Sequence, residues 1–315
     1  MIDIGRKLVF LYQSGDPPAP WRQAFAECAP ELEMRVYPEI GEPADIEVAL
    51  VFRPPHGVLA RLPNLRLIHG KGAGVDHILA DPTLPRGIPI VRLVAPSARL
   101  LMTQFVIYEI LRHHRRMDHY ARAQAAGRWS PLSPPDSELT TIGVLGLGVM
   151  GMDVAAKLAG LGFRVLGWSA SPKKIEGVRC LSGDAALPEV LAASEFLVCL
   201  LALTPATEGI LSARTLAQLP KGAYVINLAR GPHVVDQDLI QALDSGHIAG
   251  ATLDVFRAEP LPAGHPFWTH PKVTVTPHIA ADQVPRTAAR RVAENIRRLL
   301  AGEPLLDPVD RDRGY

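Results

Sequence analysis

Short apolar runs recur along the chain, separated by amphipathic stretches and by clusters of Gly, Pro, Ser and Asp. A compact apolar run between turn residues marks a strand buried on both faces, whereas apolar positions three and four apart mark a helix packed by one side. On these rules the first hundred residues hold strands at 7–13, 33–37, 47–52 and 65–69, with a helix at 21–28. The proline clusters at 16–20 and 53–55 end the first and third strands. The longest helical pattern runs over 100–126, with Leu101, Phe105, Tyr108, Leu111 and Met117 as its apolar stripe. Arg112, His113, His114, Arg115 and Arg116 crowd its polar side. Further strands are predicted at 141–145, 163–168, 196–203, 224–228, 250–255 and 272–276, and helices at 187–193, 211–218, 238–245 and 285–302. Strands alternating with helices define an α/β protein with parallel sheets.

The stretch 140–162, TTIGVLGLGVMGMDVAAKLAGLG, organises the rest. A buried strand runs into Gly146-Leu147-Gly148-Val149-Met150-Gly151, which fits G-x-G-x-x-G, and a helix follows. Each glycine has a mechanical purpose: Gly146 for the tight turn, Gly148 for approach of a pyrophosphate, Gly151 for helix–strand packing. The helix N-terminus offers unpaired N–H groups to the phosphates. The strand at 163–168 closes a βαβ unit of about 30 residues, the context that turns a weak motif into a dinucleotide site. Two doubly wound, Rossmann-like or flavodoxin-like parallel-sheet domains with a cleft between them are expected. Residues 100–286 would form the dinucleotide-binding domain. Residues 1–99 plus 287–315 would form a discontinuous substrate-binding domain, with hinges in helices near 100 and 286.

Composition narrows the partners. The chain has 315 residues, 48% of them hydrophobic, and a formal net charge of +1, so charge gives no case for nucleic acid or an anionic membrane. Cys28, Cys180 and Cys199 are widely spaced, with no C-x-x-C, which suits a reducing cytosol. The apolar run at the N-terminus is too short for a signal peptide, and the run at 196–203 is too short to span a bilayer. Adjacent histidines such as His113 and His114 point apart, and no metal site is expected.

Three polar residues fall just past predicted strand ends: Arg230, Glu259 and His278. Open α/β sheets place ligands at those ends. Arg can hold a substrate carboxylate with a fork of donors, and His exchanges protons near neutral pH. A carboxylate beside the His favours its protonated form, making it an acid in a reduction. Taken singly each is an ordinary surface or capping residue; their common edge is what suggests catalysis.

The run Val225-Ile226-Asn227-Leu228-Ala229-Arg230-Gly231, followed by Leu253-Asp254-Val255-Phe256, Glu259-Pro260 and Thr276-Pro277-His278-Ile279-Ala280-Ala281, resembles the D-isomer-specific 2-hydroxyacid dehydrogenases over nearly the whole chain. Within them it is most similar to the glyoxylate/hydroxypyruvate reductase A branch. The resemblance implies reduction of small 2-oxoacids, with Arg230 on the substrate's carboxylate and carbonyl, Glu259 orienting His278, and His278 giving the proton. It implies that Gly72, Ala73 and Gly74 hold the substrate carboxylate through backbone N–H groups. The implied cofactor contacts are Gly146, Gly148, Val149, Met150, Gly151, Trp168, Ser169, Ser171, Lys173, Leu203, Pro205, Leu228, Ala229, Asp254 and His278, with Asp254 on the nicotinamide amide. A homodimer through the cofactor domain is implied as well.

The chain departs from its relatives at Ala170, where they often carry Arg, and at Lys71, where many have an apolar residue; a solvated lysine is expected there rather than an added cation at the active-site mouth. An NAD site normally has an acidic residue about 20 positions past the glycine motif. Between Gly151 and Lys174 the sole acid is Asp153, inside the first helical turn. NADP(H) is therefore the expected cofactor, with NAD(H) also used. Another 2-hydroxyacid specificity and a dinucleotide-sensing binding protein are the alternatives. Glu259 argues against formate oxidation, because formate-oxidising relatives carry an amide there.

Overall fold

The computed structural model describes residues 8–315; the predicted strand residue Lys7 lies outside them. In chain order the elements are β1 Leu8–Gln13, α1 Pro18–Cys28, β2 Leu32–Val36, β3 Ile46–Val51, β4 Leu67–Gly70, α2 Asp76–Leu79, β5 Ile90–Val91, α3 Pro96–His114, α4 Met117–Ala125, β6 Thr141–Leu145, α5 Val149–Gly160, β7 Arg164–Ser169 and β8 Val178–Ser182. They continue as α6 Leu187–Ala193, β9 Phe196–Cys199, α7 Ala213–Leu216, β10 Ala223–Asn227, α8 Asp236–Asp244, β11 Ile248–Leu253, β12 Val273–Val275 and α9 Pro285–Ala301. Two compact units result. One runs to Ala98 and resumes over Gln283–Tyr315; the other is Arg99–Asp282.

The first unit is a parallel sheet in the order β2-β1-β3-β4-β5. Alternate residues of β1 face opposite sides, and both sides are covered, which is why the strand reads as one apolar run. Phe10 and Tyr12 pack with Trp21 and Phe25 of α1 and with Ala288, Val292 and Ile296 of α9. Val9 and Leu11 pack on the other side with Leu59, Leu62, Ile68 and Ile78. A fully buried polar pair ties β4 to α9. His69 Nδ1 donates to Gly70 O at 2.9 Å, and Asn295 Nδ2 lies 3.3 Å from His69 Nε2. Asn295 also bonds both backbone groups of Leu306. Burial pushes the His69 imidazole down to about 4, so it is neutral near pH 7.

The second unit is a seven-stranded parallel sheet in the order β12-β11-β10-β9-β6-β7-β8. The strand order reverses between β6 and β9, which is the topological switch point of a Rossmann fold. Its two faces are buried in separate clusters, one around Leu145, Val225 and Leu253, the other around Val144, Val198 and Ile226.

Besides the short α2 and β5, which the sequence pattern does not predict, three elements differ from it. The helix expected over 100–126 is two helices, and it buries Met102, Val106 and Ile110 rather than the expected stripe, whose Tyr108 and Met117 are exposed. Arg116 takes a left-handed φ of 55°, and Arg112 pairs with Asp118 across the break. The apolar run 196–203 is a strand only to Cys199: Leu200 N still bonds Leu145 O, and the chain then leaves the sheet. The edge strand β8 has no apolar signature, since Val178, Cys180 and Leu181 are only half-buried. Among the described residues no helix is long and apolar enough to cross a membrane.

Candidate active site

The glycine turn sits at the switch point. Gly146, at the end of β6, has φ 101°, and a Cβ there would lie 2.6 Å from the carbonyl oxygen of Leu200. A Cβ on Gly151 would lie 1.8 Å from Gly146 O, so that glycine is what lets α5 start against the turn. Gly148 caps α5 and is different: nothing lies within 4 Å of its missing Cβ. Open space over a helix N-terminus, walled by two positions that admit only glycine, fits a pyrophosphate.

Around this turn the other cofactor candidates are disposed unevenly. Trp168 is buried at the end of β7, its Nε1 donating to Gly183 O at 2.9 Å. Ser169 is also buried and donates its hydroxyl to Ser171 O at 2.7 Å. Ala170, Ser171, Lys173 and Lys174 are exposed. Asp153 faces elsewhere, accepting from Thr103 Oγ1 at 2.6 Å and Lys157 Nζ at 2.9 Å. Leu203 and Pro205 lie in the loop after β9, which Thr207 braces by donating to Ala202 O. Leu228 and Ala229 are buried just past β10; Val149 is exposed and Met150 half-buried at the start of α5.

Arg230, Glu259 and His278 come together on the carboxyl edge of β10, β11 and β12. His278 Nδ1 lies 2.9 Å from Glu259 Oε2, and Glu259 Oε1 accepts from Phe256 N at 2.9 Å. Nδ1 is the ring nitrogen that the carboxylate engages. Arg230 is joined to this loop through its neighbour. A Cβ on Gly231 would lie 1.9 Å from the carbonyl carbon of Phe256, so the backbones carrying Arg230 and Glu259 touch.

Residues that sequence patterning passes over hold this edge in place. Asn227, fully buried at the end of β10, donates to Arg230 O at 2.9 Å and accepts from Ala229 N at 3.2 Å. His233, also fully buried, accepts from Arg230 N at 3.2 Å. Asp254, 1% exposed, grips the turn that carries His278. It accepts from Thr276 Oγ1 at 2.6 Å and from Ile279 N and Ala280 N, each at 2.9 Å. Between those donors His278 has a left-handed φ of 58°, a conformation that a non-glycine residue holds only when its surroundings impose it. Burial lifts the Asp254 carboxyl above its usual range, with the three donors opposing. A buried Asn in a strand and a Thr after one were the available signals for the first and last of these contacts.

Gly72, Ala73 and Gly74 belong to the first unit. They form the turn after β4, where Gly72 O accepts from Leu93 N at 3.0 Å.

An imidazole held by a carboxylate on the same sheet edge as a dinucleotide-type turn is the equipment of a dehydrogenase working on a hydroxyl–carbonyl pair. Residues 107–280 match the family described as D-isomer specific 2-hydroxyacid dehydrogenase, NAD binding domain. The chain is 44% identical over 300 residues to glyoxylate/hydroxypyruvate reductase A of Serratia proteamaculans, covering 94% of this chain and 96% of that one. A D-isomer specific 2-hydroxyacid dehydrogenase from Xanthobacter autotrophicus, solved with NADPH and MES, is 46% identical and superposes with a TM-score of 0.93 over 98% of this chain and all of that one. The NADPH-dependent glyoxylate/hydroxypyruvate reductase of Sinorhizobium meliloti, solved with NADP and sulfate, is 37% identical with a TM-score of 0.92, again over 98% of this chain and all of that one. This chain belongs to the D-isomer-specific 2-hydroxyacid dehydrogenase family.

Proposed function

We propose that the protein reduces small 2-oxoacids, glyoxylate and hydroxypyruvate in particular, with NADPH, and that His278 donates the proton. The observation that carries this reading is the His278–Glu259 pair, with Arg230 on the adjoining backbone. Gly146, Gly148 and Gly151 would hold the pyrophosphate of a nicotinamide cofactor, which would supply the hydride. Arg230 holds the substrate's carboxylate and draws charge toward its carbonyl oxygen. His278, fixed by Glu259 through Nδ1, delivers the Nε2 proton to that oxygen as C2 becomes tetrahedral. Glu259 keeps the ring in that orientation and is not itself consumed.

In this reading residues 1–99 with 287–315, close to the bounds of the first unit, are the substrate-binding domain, and 100–286 the dinucleotide-binding domain. Gly72, Ala73 and Gly74 offer backbone N–H groups to the carboxylate. Asp254 would accept from the nicotinamide amide. NADPH is favoured over NADH because β7 ends without an acid, Asp153 is engaged by Thr103 and Lys157, and Lys173 and Lys174 stand exposed beside Ser171. The two solved relatives were captured with NADPH and NADP. A homodimer through the cofactor unit is supported by its exposed Tyr108, Met117, Leu139 and Trp129, the last 97% exposed. The cysteine usage favours the cytoplasm.

Steady-state assays of glyoxylate, hydroxypyruvate and phenylpyruvate with each cofactor test this reading. Higher kcat/KM for the two small acids with NADPH supports it. A preference for phenylpyruvate moves the protein to another specificity within the family, and tight NADPH binding without turnover would make it a sensor.

A further inference from the structure

In the sheet of the first unit the chain steps from β1 outward to β2 on one side and to β3 on the other, so its order reverses between β1 and β3. Ligands of open parallel sheets sit outside the carboxyl ends at such a point. The residues there are Asp16 after β1, Phe52 and Arg53 after β3, and Lys71 after β4.

Lys71 is not a solvated lysine. It is 5% exposed, its N–H donates to Val51 O at 2.8 Å, and its ammonium pairs with Asp16. The ammonium also lies 5.7 Å from the Trp21 ring centre and 5.5 Å from that of Phe52. Phe52 in turn packs 3.8 Å from the position a Gly72 Cβ would occupy, so the cluster abuts the glycine turn. Arg53 lies 5.4 Å from the same Phe52 ring and has a left-handed φ of 51°.

A buried ammonium needs a partner, and an apolar side chain would join α1 to the sheet as well or better. What the pair adds is a carboxylate in a fixed place with one side open. The Asp16 side chain is 39% exposed against 6% for Lys71, so the member that faces outward is the acceptor.

We infer that Asp16, held by Lys71, reads the C3 substituent of the substrate by accepting a hydrogen bond from a hydroxyl there. The inference rests on the 2-oxoacid reductase reading and on the placing of the substrate carboxylate at the 72–74 turn. Among 2-oxoacids of three carbons it names those with a hydroxyl on C3 as preferred, and it leaves glyoxylate, which has no C3, unaffected. A site built around such an acceptor discriminates strongly against the analogue that lacks the hydroxyl, because the acceptor is then left without its partner.

The test compares hydroxypyruvate with pyruvate, which differs only by that hydroxyl, in wild type, Asp16→Ala and Lys71→Leu, with NADPH saturating and thermal melts to verify folding. The inference predicts that wild type favours hydroxypyruvate and that each variant shrinks the ratio of kcat/KM values about tenfold, the worth of one hydrogen bond to a charged group. Lys71→Leu should act by releasing Asp16 to solvent. A ratio unchanged in both folded variants overturns it. Proportional losses on both acids also overturn it, because they make the pair a structural tether. Wild-type protein that turns over neither acid, nor glyoxylate, would instead bring down the reductase reading and the inference with it.

Discussion

Glu259 joins an imidazole to its own loop with one carboxylate: Oε2 lies 2.9 Å from His278 Nδ1 while Oε1 takes the Phe256 amide at 2.9 Å. The second bond fixes where the first is made. The imidazole is therefore oriented by a group that the loop itself has already oriented, and Gly231 brings Arg230 onto that same loop.

Replacing Glu259 by Gln keeps the shape and removes the charge. The charged hydrogen bond to His278 Nδ1 becomes a neutral one, so the ring is held less firmly. Glu259→Gln should then lower kcat for reduction on the order of tenfold, with the KM for NADPH unchanged. A kcat identical to wild type would leave the charge of Glu259 with no part in the reaction.

Asp254 should act on the His278 turn as well as on the cofactor. An Asn at this position sets an NH2 group against backbone or hydroxyl donors that now reach an oxygen. Thr276→Val removes one of those donors without touching the carboxylate. Both variants should lower kcat on the order of tenfold, the scale of one to two lost hydrogen bonds, and Thr276→Ser should restore it. Loss confined to the KM of NADPH would restrict Asp254 to the cofactor.

The loop after β7 predicts cofactor behaviour. Ala170→Arg should strengthen NADPH use about tenfold if it recovers about 1.4 kcal/mol on the 2′-phosphate. Ser169→Asp should tilt the enzyme toward NADH, since a carboxylate there repels that phosphate and accepts from ribose hydroxyls. The check is kcat/KM for both cofactors with one oxoacid; a wild type that clearly favours NADH contradicts the argument.

His69 predicts acid sensitivity of the first unit. Its imidazole titrates near 6.5 when unfolded and is pushed down to about 4 by burial. The unfolded chain therefore binds a proton that the folded one refuses, and stability falls as pH drops from 6.5 toward 4. At 1.36 kcal/mol per pH unit the loss is on the order of 3 kcal/mol. Urea titrations across that range should show a shallower pH slope for His69→Gln than for wild type. Equal slopes would place the acid sensitivity elsewhere.

The fold class is legible in the sequence because nearly every strand is buried on both faces and so forms a continuous apolar run. β8 escapes because an edge strand has no such run, and the break at Arg116 escapes because helical periodicity does not register a single left-handed residue. At the site, Arg230, Glu259 and His278 are readable as candidates from their place just past a strand. The residues that hold them are not. Asn227, His233 and Thr276 act through backbone groups that meet only once β10, β11 and β12 lie side by side. Lys71 reads as a surface lysine until Trp21, Phe52 and Asp16 close around it.

The central claim is that His278 is the proton donor of an NADPH-dependent 2-oxoacid reduction. Its most direct test is single-turnover reduction of hydroxypyruvate by NADPH, followed at 340 nm, about the absorbance maximum of the reduced nicotinamide, the cofactor that carries the hydride chemistry, in wild type and His278→Ala. The account predicts a rate lower by on the order of 10²–10⁴ in the variant, the usual worth of a positioned acid–base group, with NADPH still bound. A His278→Ala rate close to wild type would contradict it.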